Sequence, residues 1–221
     1  IQSPMTDPRP KLTYFDYPGL AESIRITLRL GKIDFEDNRV SQSEMEQLRL
    51  DGSLPTGQLP ILEIGDICLS QSEAILRWVG NKTGHYPKDE LLAVRCDMIL
   101  GAVVDIRKYF APQWYGHALG RSPVTSQLLV ALNSDQKTEI SNKLNSEVLP
   151  ELFTRLENLL GDEPYFCGSE LMICDIEVYC VITGLLDGTS CKGVSPSVLD
   201  HCSKLLDFAD RVREMVLICK M

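Results

Sequence analysis

The stretch that most constrains the fold runs from residue 57 to residue 77. It contains two short apolar segments, Leu59–Ile64 and Ile67–Leu69, separated by a Gly-Asp dipeptide of the kind found in turns. Apolar residues then recur at helical spacing, and polar residues stand where the helix would begin. The pattern predicts a β-hairpin followed directly by an α-helix.

Two features of this stretch suggest a site for a small acidic peptide. Pro60 heads the first strand and is compatible with a cis peptide bond, which would turn the Leu59 backbone outward to pair with an extended ligand. Gln71 and Ser72 stand at the start of the helix, where unpaired N–H groups and the helix dipole favour a carboxylate. The same residues are equally compatible with an ordinary hairpin and a capped helix.

Length and charge narrow the range of functions. A chain of 221 residues is long enough for one large domain or two small ones. Its net charge of −9 argues against nucleic acid and anionic membrane surfaces as partners. No apolar run approaches the roughly 20 residues of a membrane span, and no signal peptide is recognisable. We therefore expect a cytoplasmic protein.

The eight cysteines contain no C-x-x-C pair and show no regular spacing, and most of them lie among apolar residues. Buried reduced thiols are therefore expected rather than disulfides or a metal site.

Strands and helices alternate in the first part of the chain, in the order β-α-β-α-β-β-α, which predicts a compact α/β unit with a mixed sheet. Ile24, Leu28 and Leu30 of the first helix are expected to face inward. Before the hairpin, the predicted strands are residues 11–15 and 33–40, and the predicted helices are residues 19–30 and 44–50.

Residues 83–89, with a Gly and a Pro, are the best candidate for a linker. Beyond them the pattern is helical, and the 174–186 segment is apolar nearly all round, as expected of a buried central helix. The sequence thus predicts one domain at residues 11–82 and an all-α domain at residues 89–221. The other predicted helices of the second domain are residues 90–115, 136–160 and 196–216.

Four segments resemble cytosolic glutathione S-transferases, and most closely the sigma class, which includes glutathione-dependent prostaglandin D synthases. They are residues 11–22 (first strand and loop), 36–40 (second strand), 57–62 (cis-proline segment) and 71–75 (γ-glutamyl site). The resemblance implies a thioredoxin-like N-terminal domain and an all-α C-terminal domain that completes the electrophile pocket and the dimer interface. It also implies reduced glutathione as co-substrate and no prosthetic group.

Tyr14 is the candidate catalytic residue. A tyrosine at the end of a strand is usually a packed aromatic, but in the tyrosine-type classes the hydroxyl at this position hydrogen-bonds the glutathione sulfur. A thiol with a pKa of about 8.5 is mostly protonated at neutral pH, and only the thiolate attacks well. A hydroxyl donor near the start of the following helix stabilises the thiolate relative to the thiol.

The resemblance also implies which residues bind glutathione. The Leu59 backbone, oriented by Pro60, pairs with the cysteinyl part, while Gln71 and Ser72 hold the γ-glutamyl carboxylate. Asp105 aligns with an aspartate that reaches the γ-glutamyl ammonium of the neighbouring subunit, so a homodimer with shared sites is expected; without the family, Asp105 is a solvated helix charge. The remaining expected glutathione contacts are Met45, Arg49 and Gln58.

The electrophile pocket is less clearly marked. Phe15, Gly19 and Leu20 are expected to line it, together with an aromatic cluster that includes Trp114. That cluster is equally compatible with an aromatic stripe packed in the core. Arg107 could have either of two roles: it could contact an anionic substrate, or it could be an ordinary charged residue on the surface.

Several residues depart from the family pattern. Leu20 stands where many sigma enzymes have an Arg close to the catalytic tyrosine, and Met45 replaces a Trp that donates to the glycyl end of glutathione. Thr56 replaces a Phe that anchors the subunit interface. The acidic cluster linked to metal in vertebrate prostaglandin synthases is reduced to Asp105, so no metal is expected.

The leading hypothesis is a detoxifying transferase that conjugates glutathione to apolar electrophiles. One alternative is an isomerase of the prostaglandin-synthase type, which uses the same thiolate on a lipid endoperoxide. The other is a non-catalytic binding or structural relative like the lens S-crystallins, which the departures at Leu20 and Met45 favour. Retention of four residues together favours catalysis: Tyr14, Gln71, Ser72 and Asp105.

Overall fold

The computed structural model describes residues 8–114, 134–187 and 194–218 of the chain, and the side chains of residues 110–114 and 137 lie outside this description. The chain divides into two compact units. One comprises Ile1–Pro87 and Val216–Met221, and the other comprises Lys88–Met215.

A four-stranded mixed sheet lies at the centre of the first unit, in the order β2-β1-β3-β4. The strands are β1 (Lys11–Phe15), β2 (Glu36–Val40), β3 (Ile61–Ile64) and β4 (Ile67–Ser70). β1 runs parallel to β2 and antiparallel to β3, which forms the hairpin with β4. Ile61 pairs with Thr13 on one side and with Ser70 on the other. One edge of the sheet therefore gathers the C-terminal ends of β1, β2 and β4 and the N-terminal end of β3.

Three helices complete this unit: α1 (Glu22–Leu30), α2 (Gln42–Leu50) and α3 (Ser72–Thr83). α1 follows a short 3₁₀ turn at Gly19–Ala21 and packs against α3. At the end of α1, a Cβ on Gly31 would lie only 2.1 Å from Cγ2 of Thr83, so the close approach of the two helices requires glycine. The core between these elements includes the fully buried side chains of Leu12, Ile24, Leu28, Leu62, Ile75 and Val79.

The predicted order of elements and the thioredoxin-like arrangement are confirmed. The bounds of β2 differ, because the Ile33 N–H bonds the Leu28 carbonyl in the turn after α1, so the strand begins only at Glu36. In α1, Ile24 and Leu28 are buried as predicted, but Leu30 is only half-buried.

Helix α2 begins earlier than predicted because a capping box starts it. The Glu44 N–H donates to Oγ of Ser41 at 3.3 Å, and the Ser41 N–H donates to the Glu44 carboxylate at 2.7 Å. These reciprocal bonds satisfy two N–H groups that the helix itself leaves unpaired. The helix therefore starts at Gln42 instead of residue 44.

Helices make up the second unit within the described residues. α7 is buried along almost its whole length, which confirms the predicted central helix, and α4 packs against both α6 and α7. The helices are α4 (Glu90–Trp114), α5 (Ser134–Lys143), α6 (Leu149–Leu160), α7 (Ile173–Leu186) and α8 (Ser203–Ile218), the last of which ends in residues grouped with the first unit.

Two predicted helices are each divided. A π-helical turn at Leu144–Val148 separates α5 from α6, directly before Pro150, which has no N–H to offer the carbonyl four residues earlier. A 3₁₀ turn at Pro196–Leu199 precedes α8, because the Cys202 N–H closes a turn onto the Leu199 carbonyl at 2.8 Å. Apolar spacing continues across both interruptions, so the pattern alone does not reveal them.

None of the helices within the described ranges is long and apolar enough to cross a membrane. The six described cysteines are free thiols: Cys96, Cys167, Cys174 and Cys202 are buried, Cys180 is half-buried and Cys68 is exposed. Cys191 and Cys219 lie outside the described residues.

Candidate active site

The Tyr14 hydroxyl lies at the edge of the sheet where the strand ends meet. The residue is 3% exposed, and its Oη accepts a hydrogen bond from the Leu20 N–H at 3.2 Å. Leu20 belongs to the 3₁₀ turn before α1, so this N–H is one that a helix start leaves without an internal partner. A hydroxyl oxygen that accepts such a bond becomes a better donor of its own proton.

Gly19 permits this contact. Its φ is +47°, and a Cβ at this position would lie 2.6 Å from the Tyr14 Oη and 2.8 Å from Cε2 of Tyr17. Both the left-handed backbone and the missing side chain therefore require glycine. Gly19 therefore lets the turn approach the Tyr14 hydroxyl; its predicted place in the electrophile pocket stays a prediction.

Two other aromatic rings pack against the ring of Tyr14. Tyr14 meets Phe15 and Tyr17 edge to face, with ring centroids 5.4 and 5.5 Å away. Phe15 and Tyr17 stack on each other at 5.5 Å with an interplanar angle of 6°. Such contacts stabilise the loop beyond simple burial, and they give the surroundings of the hydroxyl an apolar wall.

Arg25 organises the loop between β1 and α1, and sequence reasoning missed it because an Arg in a helix is normally a surface residue. Its side chain is fully buried, and its guanidinium carbon lies 5.9 Å from the centroid of the Tyr14 ring. A fully buried guanidinium that is satisfied by its own loop fixes the path of that loop. It donates to Asp37 Oδ1 (2.9 Å), Glu22 Oε2 (3.2 Å) and the carbonyls of Tyr17 (3.2 Å), Pro18 (3.2 Å) and Phe15 (3.4 Å).

The predicted peptide-binding residues lie at the same edge of the sheet. The Leu59–Pro60 peptide is cis, as the sequence suggested, and Leu59 precedes the ladder of β3, whose first paired residue is Ile61. Gln71 follows β4 with a φ of +71° and leads into Ser72, the first residue of α3. Strand pairing thus gathers Leu59, Gln71 and Tyr14 near one another.

A third group of predicted residues joins α2 to the loop before Pro60. Arg49 donates to the Gly57 carbonyl at 3.2 Å and to Glu46 Oε2 at 3.0 Å, and its Nη2 lies 3.7 Å from Sδ of Met45. Met45 is buried beneath this guanidinium, while Gln58 is exposed next to Gly57. Met45 thus packs under Arg49, whose side chain stays 46% exposed and accessible to an anion.

The remaining predicted residues lie on α4 of the second unit. The Asp105 side chain is 66% exposed and pairs with Lys108 at 2.6 Å. Arg107 forms an ion pair with Glu177, a buried residue of α7, so its charge already has a partner. The side chain of Trp114 lies outside the described residues.

Comparison with known proteins places these features in a family. Residues 10–81 match the family model of the glutathione S-transferase N-terminal domain, and residues 122–218 match that of the glutathione S-transferase C-terminal domain. Over 211 residues, the chain is 26% identical to hematopoietic prostaglandin D synthase of Mus musculus, covering 96% of this chain and 94% of the relative. Over 173 residues, it is 30% identical to glutathione S-transferase A4 of Mus musculus, covering 77% and 71% of the two chains.

A solved structure agrees with the sequence comparisons. A glutathione S-transferase of the hookworm Necator americanus, described as monomeric, has a TM-score of 0.76 and 25% identity, covering 93% of this chain and 92% of that one. The chain belongs to the glutathione S-transferase family.

Proposed function

We propose that this protein is a sigma-like, tyrosine-type glutathione transferase that conjugates reduced glutathione to apolar electrophiles. The observation that carries the proposal is the hydrogen bond from the Leu20 N–H to the Tyr14 hydroxyl oxygen, at 3.2 Å. It fixes the hydroxyl at the sheet edge that also holds the peptide-binding residues and strengthens it as a donor to a sulfur anion. The family supplies glutathione as substrate and implies no prosthetic group.

In this proposal residues 11–82 bind glutathione. The Leu59 backbone pairs with the cysteinyl part of the tripeptide, and Gln71 with Ser72 holds the γ-glutamyl carboxylate at the start of α3, where the helix dipole favours an anion. Arg49 faces the glycyl carboxylate, which its exposed fraction of 46% permits. The tripeptide is thereby held at two anionic ends, with its sulfur directed towards Tyr14.

Catalysis then depends on the thiolate. The glutathione thiol loses its proton to solvent, and the Tyr14 hydroxyl donates a hydrogen bond that stabilises the remaining sulfur anion. The sulfur lone pair forms a bond to the electrophilic carbon. With an aryl halide, the halide leaves with its bonding electrons. Lowering the pKa of the thiol by one unit requires that the thiolate be stabilised by about 1.4 kcal/mol relative to the thiol. One charge-assisted hydrogen bond near a helix start can supply this energy.

We infer that the electrophile lies against the aromatic wall of the β1–α1 loop, where Phe15, Gly19 and Leu20 offer an apolar surface. At the position of Leu20, many sigma enzymes have an Arg. The apolar side chain found here suits an apolar electrophile, and stabilisation of the thiolate then depends on Tyr14. Because Arg107 is paired with Glu177, we expect it to orient α4 and not to select anionic substrates.

A homodimer is part of the proposal. Leu91, Val94 and Met98 of α4 are 80%, 66% and 47% exposed, and they recur three and four residues apart, so they form one apolar stripe. Asp105 follows Met98 by seven residues and therefore continues the same face. A second copy seated on this stripe would cover the apolar side chains and receive Asp105 at its glutathione site. We also infer a cytoplasmic location, because the cytosol maintains reduced glutathione.

The proposal is tested by measuring glutathione binding by calorimetry and conjugation of an aryl halide in the wild type and in Tyr14→Phe. We expect both proteins to bind glutathione, and the variant to conjugate roughly 10- to 100-fold more slowly. Tyr165→Phe removes a hydroxyl from the second unit and serves as the control, with unchanged rate. Equal rates for wild type and Tyr14→Phe would contradict the proposal.

A second candidate is an isomerase that uses the same thiolate on a lipid endoperoxide. It is favoured by the 26% identity to a hematopoietic prostaglandin D synthase across 96% of the chain. The two activities are separated by glutathione consumption, since conjugation uses one glutathione per product and isomerisation returns it. The isomerase would be favoured over the transferase if aryl halides are conjugated slowly while an endoperoxide is turned over rapidly with no loss of glutathione.

A further inference from the structure

Three cysteines, one of them far in sequence from the other two, meet in the core of the second unit. Cys96 lies on α4, Cys167 lies in the loop between α6 and α7, and Cys174 lies in the first turn of α7. Their Sγ atoms all lie within 4.8 Å of one another, and those of Cys167 and Cys174 are 3.8 Å apart. All three residues are buried, and Cys167 is the most accessible at 8%. Two sulfurs bound to one tetrahedral zinc ion lie about 3.8 Å apart, given Zn–S bonds of about 2.3 Å.

The loop that carries Cys167 is held in place from two sides. The Phe166 N–H donates to the buried Asp175 carboxylate at 2.8 Å, and the Phe166 carbonyl accepts a hydrogen bond from Arg95. Tyr165 and Gly168 exchange two backbone hydrogen bonds of 3.1 Å around it. Supporting contacts of this kind orient ligands before an ion arrives. The thiol of Cys167 is therefore positioned by contacts that exist without the ion.

The local charges suit a divalent ion. Three thiolates, the Asp175 carboxylate, whose Oδ2 lies 3.9 Å from Sγ of Cys174, and one divalent cation carry a net charge of −2, and the Arg95 guanidinium, which bonds the neighbouring Phe166 carbonyl, offsets part of it. A monovalent ion would leave one more negative charge in a buried place.

Sulfur donors select the kind of ion. Thiolates prefer soft or borderline metals such as zinc and its heavier relatives, whereas magnesium and calcium require oxygen ligands. Three sulfur ligands leave one tetrahedral position for a water molecule. Coordination displaces the remaining thiol protons to solvent.

We propose that Cys96, Cys167 and Cys174 form a binding site for a soft divalent metal ion of the zinc type. The ion would join α4, the α6–α7 loop and the start of α7, and would stabilise the second unit. Sequence analysis favours separate buried thiols because no local spacing signals the cluster: 71 residues separate Cys96 from Cys167. The site rests on the geometry of the second unit and does not depend on the proposed glutathione chemistry.

The test is a titration of the full, phosphine-reduced chain with Cd²⁺, an ion that reports sulfur ligation through near-ultraviolet charge-transfer absorption, followed by competition with Zn²⁺. We expect the absorption to saturate at one equivalent and Zn²⁺ to reverse it. Cys174→Ser should weaken binding roughly 100-fold or more, since one of three sulfur ligands is lost. Cys202→Ser is the matched control, because Cys202 is buried outside the cluster, and it should bind like the wild type.

Two results would overturn the proposal: no absorption at one equivalent of Cd²⁺ in the wild type, or undiminished binding by folded Cys174→Ser. If that variant does not fold, Cys167→Ser changes the most accessible ligand and should show the same loss. The number of sulfur atoms around Cd²⁺ in the wild type, measured by X-ray absorption, needs no variant. Three sulfurs support the site, and fewer than three contradict it.

Discussion

The Leu20 backbone N–H donates a hydrogen bond to the Tyr14 hydroxyl oxygen, at 3.2 Å. The two residues lie six positions apart, and the bond closes the loop between β1 and α1 around the hydroxyl. Leu20 thus acts through its backbone N–H, which any residue except proline could supply at this position. Its side chain, by contrast, departs from the family pattern. The departure therefore leaves intact the contact on which the proposed activation of the thiol depends.

Gly19→Ala tests whether this close approach matters for catalysis. The added Cβ would lie 2.6 Å from the Tyr14 Oη, so the turn must move and the hydroxyl loses its fixed position. We expect conjugation to fall tenfold or more, with glutathione affinity nearly unchanged. Gly84→Ala is the matched control: its φ is also positive, at +79°, but nothing lies within 4 Å. Both variants carry a backbone cost of about 1 kcal/mol, and equal losses of activity would contradict the account.

Arg25→Gln tests the buried guanidinium that holds the same loop. The variant removes the donor to Oδ1 of Asp37, whose Oδ2 stays bonded to Arg39, and the donor to three backbone carbonyls, so we expect the free energy of unfolding to drop by about 3 kcal/mol. Arg155→Gln makes the same chemical change in an ion pair whose side chains are 67% and 65% exposed, and should cost less than about 0.5 kcal/mol. Urea unfolding measures both. A drop for Arg25→Gln as small as for Arg155→Gln would show that the loop does not depend on this residue.

The Arg25–Asp37 pair also predicts a pH dependence. Partial burial alone would raise the pKa of Asp37, but hydrogen bonds from Arg25 and Arg39 lower it below its ordinary value. A carboxyl whose pKa is lowered on folding stabilises the protein above its unfolded pKa of about 3.9, and this contribution is lost as the pH falls through the folded pKa. The stability difference between wild type and Asp37→Asn should therefore be largest near neutral pH and shrink below about pH 4. A difference that stays constant from pH 7 to pH 3 would contradict this.

Val94→Glu tests the proposed dimer. Val94 is 66% exposed at the centre of the apolar stripe on α4, so a charge there should prevent self-association without changing the fold of the single chain. Analytical ultracentrifugation should give a dimer for the wild type and a monomer for the variant. Leu217→Glu places the same charge at another exposed apolar position, 51% exposed on α8, and should remain dimeric. A monomeric wild type would remove the dimer from the proposal.

The local sequence pattern predicts the strands and helices of this fold well where hydrophobic periodicity and turn-forming residues agree. The hairpin of β3 and β4, its Gly65 turn and the helix that follows are all encoded within 20 or so neighbouring residues, and the order of elements follows from such segments. The bounds were less well predicted. The Ser41–Glu44 capping box is visible in the sequence and marks the true start of α2.

Tertiary arrangements are what the sequence does not reveal. Arg25 is charged and lies in a helix, so nothing local indicates that its loop encloses it completely. Cys96 and Cys174 become neighbours only because α4 and α7 pack together. Likewise, the bond between Leu20 and Tyr14 depends on the path of a loop, which residue types do not specify.

The most direct measurement is the pKa of the glutathione thiol bound to the protein, followed by thiolate absorption in the ultraviolet, for the wild type and Tyr14→Phe. If the Tyr14 hydroxyl stabilises the sulfur anion, the bound thiol should titrate at least one unit below the pKa of about 8.5 expected of a free thiol. Tyr14→Phe should return the pKa towards that value while still binding glutathione. A bound thiol whose pKa is the same in both proteins would contradict the central role of Tyr14.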